Sequence, residues 1–142
     1  MKIYVDSSFL VSLYTLDANS SAAARIMSAS TGPHFVTTFG ELEVVTAIGL
    51  RVFRNEVSAA QAKASRADFE QDLRNGIFEL HGLPEQTFGR AHQLSRQTTP
   101  KLGTRTADIL HIAAALELGA DYLYSFDHQQ RRLAEVVRLK LN

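Results

Sequence analysis

The 142-residue sequence contains no cysteine, and this absence excludes several kinds of chemistry. Without a thiol the protein has no cysteine nucleophile, no CxxC redox pair, no disulfide framework and no zinc site built on thiolates. The composition fits a reducing cytosol. Any metal site must use oxygen or imidazole ligands.

Neither sign of charge dominates, and long apolar runs are also missing. Lys and Arg number 15, as do Asp and Glu, so no global field favours a nucleic acid or a membrane. No stretch approaches the roughly 18 apolar residues of a membrane span, and the lead into the first apolar run is too short for a signal peptide. We expect one domain, residues 1–142, in a soluble cytoplasmic protein with no membrane partner.

Short β-branched or aromatic runs alternate with helical patterns along the chain. The predicted strands cover residues 2–5, 34–36, 77–80, 122–126 and 136–139, and the predicted helices cover residues 9–14, 20–30, 38–54, 58–74, 84–95, 106–118 and 129–135. Strands separated by helices form parallel sheets through right-handed crossovers. The sequence therefore predicts an α/β fold, a three-layer helix–sheet–helix sandwich with a short central parallel sheet, whose ligands bind beyond the carboxyl ends of the strands.

Acidic residues occur where such a site is expected. Asp6 directly follows the first predicted strand and Asp127 directly follows the fourth, while Glu41 and Asp108 lie in the first turns of predicted helices. Each has an ordinary alternative, because carboxylates also cap helices and complement the helix dipole. A cluster of them is harder to explain structurally, since like charges repel unless a cation neutralises them. Oxygen ligands suit Mg²⁺ or Mn²⁺ better than zinc.

Helical phase distinguishes the two glutamates of the helix that begins at Thr38. Thr38-x-x-Glu41 has the form of a capping box. At about 100° per residue, Glu41 shares a stripe with Val44, Val45, Ile48 and Val52. We therefore expect Glu41 to point inward and Glu43 to point to solvent.

Serine and histidine side chains offer supporting groups. Ser7 and Ser125 each lie beside a proposed ligand and can orient a carboxylate or a water, although a cap or a strand hydroxyl explains them equally well. The five histidines share no metal-ligand spacing, and the roles of His111 and His128 stay open. No nucleophile elbow, P-loop or dinucleotide fingerprint is present.

Basic residues are concentrated in one segment. Residues 86–107 include Arg96, Lys101 and Arg105 and no acid, and they lead directly to Asp108. A phosphodiester enzyme needs such groups around an acidic centre to hold the polyanion. A second basic region contains Arg131 and Arg132, for which a solvated surface is an equally good interpretation.

These residues resemble the PIN domain family, and within it the VapC-type toxins of toxin–antitoxin pairs. The resemblance rests on Ile3-Tyr4-Val5-Asp6-Ser7-Ser8, on Glu41-Leu42, on the run from Thr106 to Ala115, and on the run from Gly119 to Asp127. It implies the same sandwich fold and a metal-dependent endoribonuclease that uses Mg²⁺ or Mn²⁺. It marks four residues as the acidic centre: Asp6, Glu41, Asp108 and Asp127. Asp127 is followed by His-Gln-Gln, and Ser125 replaces a commoner threonine.

The resemblance also implies partners: an RNA substrate, a cognate antitoxin and a second copy in a homodimer. Apolar residues support a protein interface, because a small domain cannot easily bury all of Phe9, Leu10, Leu13 and Tyr14 together with Leu50 and Phe53. A PIN-like module that binds RNA or protein without cleaving is the main alternative. A receiver-type phosphoacceptor is disfavoured, because it would have adjacent acids after the first strand and a lysine after a late strand.

Overall fold

Five short parallel strands lie at the centre of the protein, which a computed structural model describes over residues 1–142. The strands are β1 (Ile3–Val5), β2 (His34–Thr37), β3 (Glu79–His81), β4 (Tyr122–Tyr124) and β5 (Lys140–Leu141). The helices are α1 (Ser7–Tyr14), α2 (Ser20–Ala29), α3 (Thr38–Phe53), α4 (Ala59–Arg74), α5 (Thr87–Leu102), α6 (Thr106–Glu117) and α7 (His128–Val136). None of them combines the length and apolar character needed to cross a bilayer.

The strand order β3-β2-β1-β4-β5 places β1 in the middle of the sheet. Ile3 pairs with His34 of β2 on one side and with Tyr122 of β4 on the other. Along the chain, β2 and β3 are added on one side of β1, and β4 and β5 are then added on its other side. The point where strand order reverses therefore lies at β1 and β4, where α/β folds bind their ligands.

The two faces of the sheet carry separate apolar cores, as expected for a three-layer sandwich. Ile3 and Val5 pack with side chains of α1 to α4. Tyr4 and Leu123 point to the other face and pack with the alanine-rich α6 and with α7. Successive residues of a strand face opposite sides, so a three-residue strand serves both cores. The predicted fold class is confirmed.

Several predicted boundaries were wrong. The third strand is shifted to Glu79–His81, the fourth ends at Tyr124 rather than residue 126, and the last is Lys140–Leu141 rather than 136–139. The fifth helix starts at Thr87 and continues to Leu102 instead of spanning 84–95. It accommodates Pro100 in its last turn, and it ends at Gly103, whose φ of 67° few other residues adopt without strain.

Hydrogen bonding and burial correct three further expectations. Thr37, not Thr38, caps α3, because its hydroxyl accepts the Gly40 N–H. Val45 is 37% exposed although it was assigned to the inward stripe. Phe9 and Leu10 are fully buried, whereas Leu50 and Phe53 are exposed as predicted, Phe53 at 83%.

Candidate active site

Asp6 occupies the carboxyl end of the central strand and is almost completely buried, with 1% of its surface exposed. It caps α1 through Oδ1, which accepts hydrogen bonds from the Ser8 hydroxyl at 2.7 Å and the Phe9 N–H at 2.9 Å. Its Oδ2 accepts from the Ser125 hydroxyl. Burial raises the pKa of Asp6, against the opposing effects of His111 and these hydrogen bonds.

Ser125 connects Asp6 to the loop that carries Asp127. Its hydroxyl donates to Asp6 and accepts the Asp127 N–H at 3.0 Å. Its N–H donates to Asn142 Oδ1 at 2.8 Å, and its carbonyl accepts from Arg131 Nη1 at 2.9 Å. Ser125 therefore contacts one of the proposed ligands, and Arg131 binds the backbone of the same loop. The role of Ser125 in orienting a carboxylate stays a prediction.

The serine that touches Asp6 from the first helix is Ser8, one residue beyond the one predicted. Ser8 also accepts the Phe126 N–H at 3.0 Å, while the Ser7 hydroxyl makes no hydrogen bond within the chain. The contacts of Ser8 and Asn142 were not predicted from the sequence, for different reasons. Ser8 is part of the same Asp-Ser-Ser run, but the contact of Asn142 requires the final strand to lie beside β4.

Asp108 and Asp127 influence each other electrostatically. Asp108, in the first turn of α6, accepts the Arg105 N–H through Oδ2 at 3.0 Å. Asp127, three residues beyond the end of β4, caps α7 by accepting the Gln130 N–H through Oδ1 at 2.9 Å. Burial raises the pKa of Asp108, and the charge of Asp127 raises it further. Each of these carboxylates keeps one oxygen free of hydrogen bonds within the chain.

The two glutamates of α3 differ from the phase-based prediction. Glu41 is half-buried in the first turn and makes no hydrogen bond within the chain. Glu43 does not point freely to solvent: its carboxylate contacts Nε2 of His111, which is 2% exposed. The opposite nitrogen of that ring, Nδ1, lies 2.8 Å from the Tyr4 hydroxyl. The prediction for Glu43 was wrong because α6 reaches that side of α3.

The three basic residues proposed to contact phosphates are exposed. Arg96 and Lys101 lie on α5 and Arg105 lies just before α6, and none of their side chains forms an ion pair within the chain. Arg90, in contrast, pairs with Glu117. His128 is exposed at the start of α7.

A model of the PIN domain family matches residues 3–136. The chain belongs to the PIN domain family. No curated protein sequence shows significant similarity to it.

Solved structures share the fold of this PIN domain at low sequence identity. VapC20 of Mycobacterium tuberculosis, a toxin that cleaves the sarcin–ricin loop, superimposes with a TM-score of 0.70 at 18% identity, over 92% of this chain and 93% of that one. VapBC2 of Rickettsia felis, bound to a DNA fragment from their promoter, gives 0.68 at 12% identity, over 100% and 98%. FitAcB of Neisseria gonorrhoeae gives 0.66 at 13% identity, over 98% and 95%.

The acidic edge of this PIN domain suits a hard divalent cation by its chemistry, although no three acidic or histidine side chains form a complete metal-binding cluster. All four candidate ligands donate oxygen, which Mg²⁺ and Mn²⁺ prefer. Asp6 and Asp108 both have raised pKa values, so hydrogen bonds and nearby positive charges do not fully offset the cost of burying their ionised forms. A cation would supply the missing positive charge.

Proposed function

We propose that this PIN domain is a metal-dependent endoribonuclease, the toxin of a toxin–antitoxin pair that acts in the cytoplasm. The observation that carries the proposal is membership of the PIN domain family over residues 3–136, together with the hydrogen bonds by which Ser125 joins Asp6 to the Asp127 backbone. Burial and the neighbouring Asp127 also disfavour the charged form of Asp108 at the same edge of the sheet. Perturbed carboxylates at such an edge are typical of functional sites.

Each acid has a distinct part in the proposed reaction. Asp6, which is held by Ser8 and Ser125, and Asp108 would hold Mg²⁺ or Mn²⁺, with Asp127 and Glu41 completing the set. The cation would lower the pKa of a water molecule and offset the charge that builds up on the phosphate. Glu41 has no hydrogen-bond partner in the chain, so its carboxylate is available to orient that water. Because water attacks, the products would carry 5′-phosphate and 3′-hydroxyl ends.

The basic segment would hold the flanking phosphates of the RNA. Arg96, Lys101 and Arg105 are exposed and carry no competing carboxylate. We expect the triple glutamine variant to raise KM and to flatten the salt dependence of binding, because each lost phosphate contact removes about 0.7 from the slope for single strands. The matched control replaces Arg25, Lys63 and Arg74, which are exposed on α2 and α4, and should bind normally.

The direct test is cleavage of a mixed RNA pool with Mg²⁺ or Mn²⁺, followed by EDTA and by analysis of the product ends. Cleavage that stops with EDTA and leaves 3′-hydroxyl ends supports the proposal. Cleavage that continues in EDTA, or that leaves 2′,3′-cyclic phosphates, contradicts the metal mechanism.

A non-catalytic RNA- or protein-binding module is the second candidate, and the hydrogen bonding of Asp6 favours it. Both carboxylate oxygens of Asp6 already accept hydrogen bonds, and three of the four acids serve as helix caps or bind a backbone N–H of their own segment. Such a module would bind RNA or a partner protein with the same affinity in EDTA and would cleave nothing.

The proposed partners are an antitoxin and a second copy of the chain. Leu42, Leu50 and Phe53 expose apolar surface on α3, the helix that carries Glu41. A partner covering this surface could place a lysine or arginine among the acids and replace the charge of the cation. Light scattering on the isolated chain tests the homodimer, and co-purification with the product of an adjacent reading frame tests the antitoxin.

A further inference from the structure

A polar chain, buried except at the partly exposed Glu43, lies beside the candidate acidic centre. It runs from Thr37 through Tyr4 and His111 to Glu43, and it is distinct from the acids themselves. Tyr4 is completely buried, and His111 is 2% exposed. The Tyr4 hydroxyl lies 3.3 Å from Thr37 Oγ1 and 2.8 Å from His111 Nδ1.

Every side chain of this polar chain has a hydrogen-bond partner. An ionised Glu43 only accepts hydrogen bonds, so His111 Nε2 carries a proton and donates it. Nδ1 accepts from the Tyr4 hydroxyl in a neutral ring and donates to it in a protonated ring, and Tyr4 can pair with Thr37 in either state. Thr37 also accepts the Gly40 N–H at 3.1 Å and so caps α3. Buried networks with every member satisfied confer rigidity.

Each member lies close in sequence to a candidate ligand. Tyr4 is two residues before Asp6 on β1, and His111 is one helical turn after Asp108 on the same face of α6. Glu43 is two residues after Glu41 on α3, and so lies about 200° around the helix from it. Fixing Glu43 against His111 therefore fixes the rotation of α3, and with it the direction of Glu41.

We propose that Glu43 is a positioning residue: through His111 and Tyr4 it fixes α3 and α6 against β1 and so sets the arrangement of Asp6, Glu41 and Asp108. This inference rests on the proposed function of the same site. It assigns Glu43 no contact with RNA and no proton transfer. Mutation of supporting groups of this kind typically lowers metal affinity or activity by about 10- to 100-fold.

The experiment compares Glu43→Leu, which removes the acceptor, with Glu43→Gln, which keeps one. Glu70→Gln is the matched control, because Glu70 is exposed on α4 without a partner. Mn²⁺ affinity is measured by EPR titration, RNA cleavage gives kcat and KM, and ¹⁵N NMR reports the tautomer of His111. We expect Glu43→Leu to weaken Mn²⁺ binding and kcat by about 10- to 100-fold with KM changed less than about twofold. Glu43→Gln should recover most of the loss.

The outcomes separate this inference from the proposed function. A wild type that never cleaves RNA contradicts the proposed function, and the Mn²⁺ titrations then decide the positioning role alone. A folded Glu43→Leu variant with wild-type Mn²⁺ affinity and kcat overturns the inference. If Glu43→Leu does not fold, Tyr4→Phe removes the opposite contact of His111. Unchanged Mn²⁺ affinity and an unchanged His111 tautomer in Tyr4→Phe would likewise overturn it.

Discussion

The carboxyl and amino ends of the strands each bury an ionisable side chain, but their surroundings differ. At the carboxyl end of β1, Asp6 is held by the hydroxyls of Ser8 and Ser125. At the amino end of β2, His34 Nε2 lies 2.7 Å from the Ser30 hydroxyl, which lies 2.9 Å from that of Tyr124. Both groups are buried, and burial disfavours the charged form of both: it raises the pKa of Asp6 and lowers that of His34.

Like charge is what distinguishes the two regions. Burial is the only cause of the altered pKa of His34, whose neighbours are neutral hydroxyls and aromatic rings. The acidic end also contains Asp108 and Asp127, and the charge of Asp127 raises the pKa of Asp108. His34 has a hydrogen-bond partner and no charged neighbour, so a structural role is enough to explain it. At the acidic end, burial and the charge of Asp127 both disfavour ionisation of Asp108, and a bound cation would offset that cost.

The largest expected effect is on activity at the acidic end. Asp6→Asn or Asp108→Asn should lower kcat on the order of 100-fold or more, because each removes a negative charge that would hold the cation. The same variants should fold as stably as the wild type or more so in EDTA, since Asp6→Asn removes a buried charge and Asp108→Asn removes the repulsion from Asp127. RNA cleavage and thermal melts measure the two effects. Asp68→Asn, an exposed control on α4, should change neither.

Cation binding at the acidic end should stabilise the folded wild-type protein against unfolding. The Asp6→Asn variant should gain little stability from the cation. At a concentration about 100-fold above Kd, binding to the folded state adds about 2.7 kcal/mol. For a domain of this length that raises Tm by roughly 5–10 °C. Calorimetry with Mn²⁺ and with EDTA measures the shift. An equal shift in wild type and Asp6→Asn would place the cation elsewhere and remove the contrast between the two ends.

The pH dependence of the metal-free protein should also reflect the carboxylates. Because the folded-state pKa values of Asp6 and Asp108 are raised, the folded state binds their protons more tightly than the unfolded state does. Their contribution is full below the unfolded value of about 3.9 and is lost as pH rises through the folded value. Urea unfolding in EDTA should therefore show a shallower loss of stability above pH 4 in Asp6→Asn than in wild type. Parallel curves would contradict the burial argument.

The smallest effect is expected at His34. Its folded-state pKa is lowered, so its contribution is full above the unfolded value of about 6.5 and is lost as pH falls through the folded value. His34→Gln should reduce the difference in Tm between pH 7.5 and pH 5, while His92→Gln, at an exposed position, should not. The effect of pH on stability that His34→Gln removes should be smaller than the effect that the carboxylate variants remove, because no like charge faces His34.

Sequence patterns predicted the element types well and their ends less well. Asp6 was correctly placed because a β-branched run followed by Asp-Ser-Ser marks a strand that enters a helix, and Asp6 does cap α1. Asp127 was assigned to a strand end although β4 stops at Tyr124. The residues between them, Ser125 and Phe126, have strand-like or neutral propensity. Their conformation is set instead by the contacts of Ser125 with Asp6, Arg131 and Asn142.

The partner of Glu43 was not predictable from its own helix. Helical phase gives the angle between Glu41 and Glu43, but it does not say which element packs on each side. Glu43 is partly covered because His111 of α6 reaches it from the opposite layer, across 68 positions of sequence.

The sequence by itself determined the alternation of strands and helices, the acids at the carboxyl ends and the basic segment before Asp108, because these depend on local propensity and short spacings. Only the tertiary structure decided the strand order that puts β1 beside β4, the pairing of His111 with Glu43, and the burial of Asp6 beneath Ser125. These features join residues far apart in the chain. Their energies come from desolvation and from hydrogen bonds that exist only when distant elements pack together.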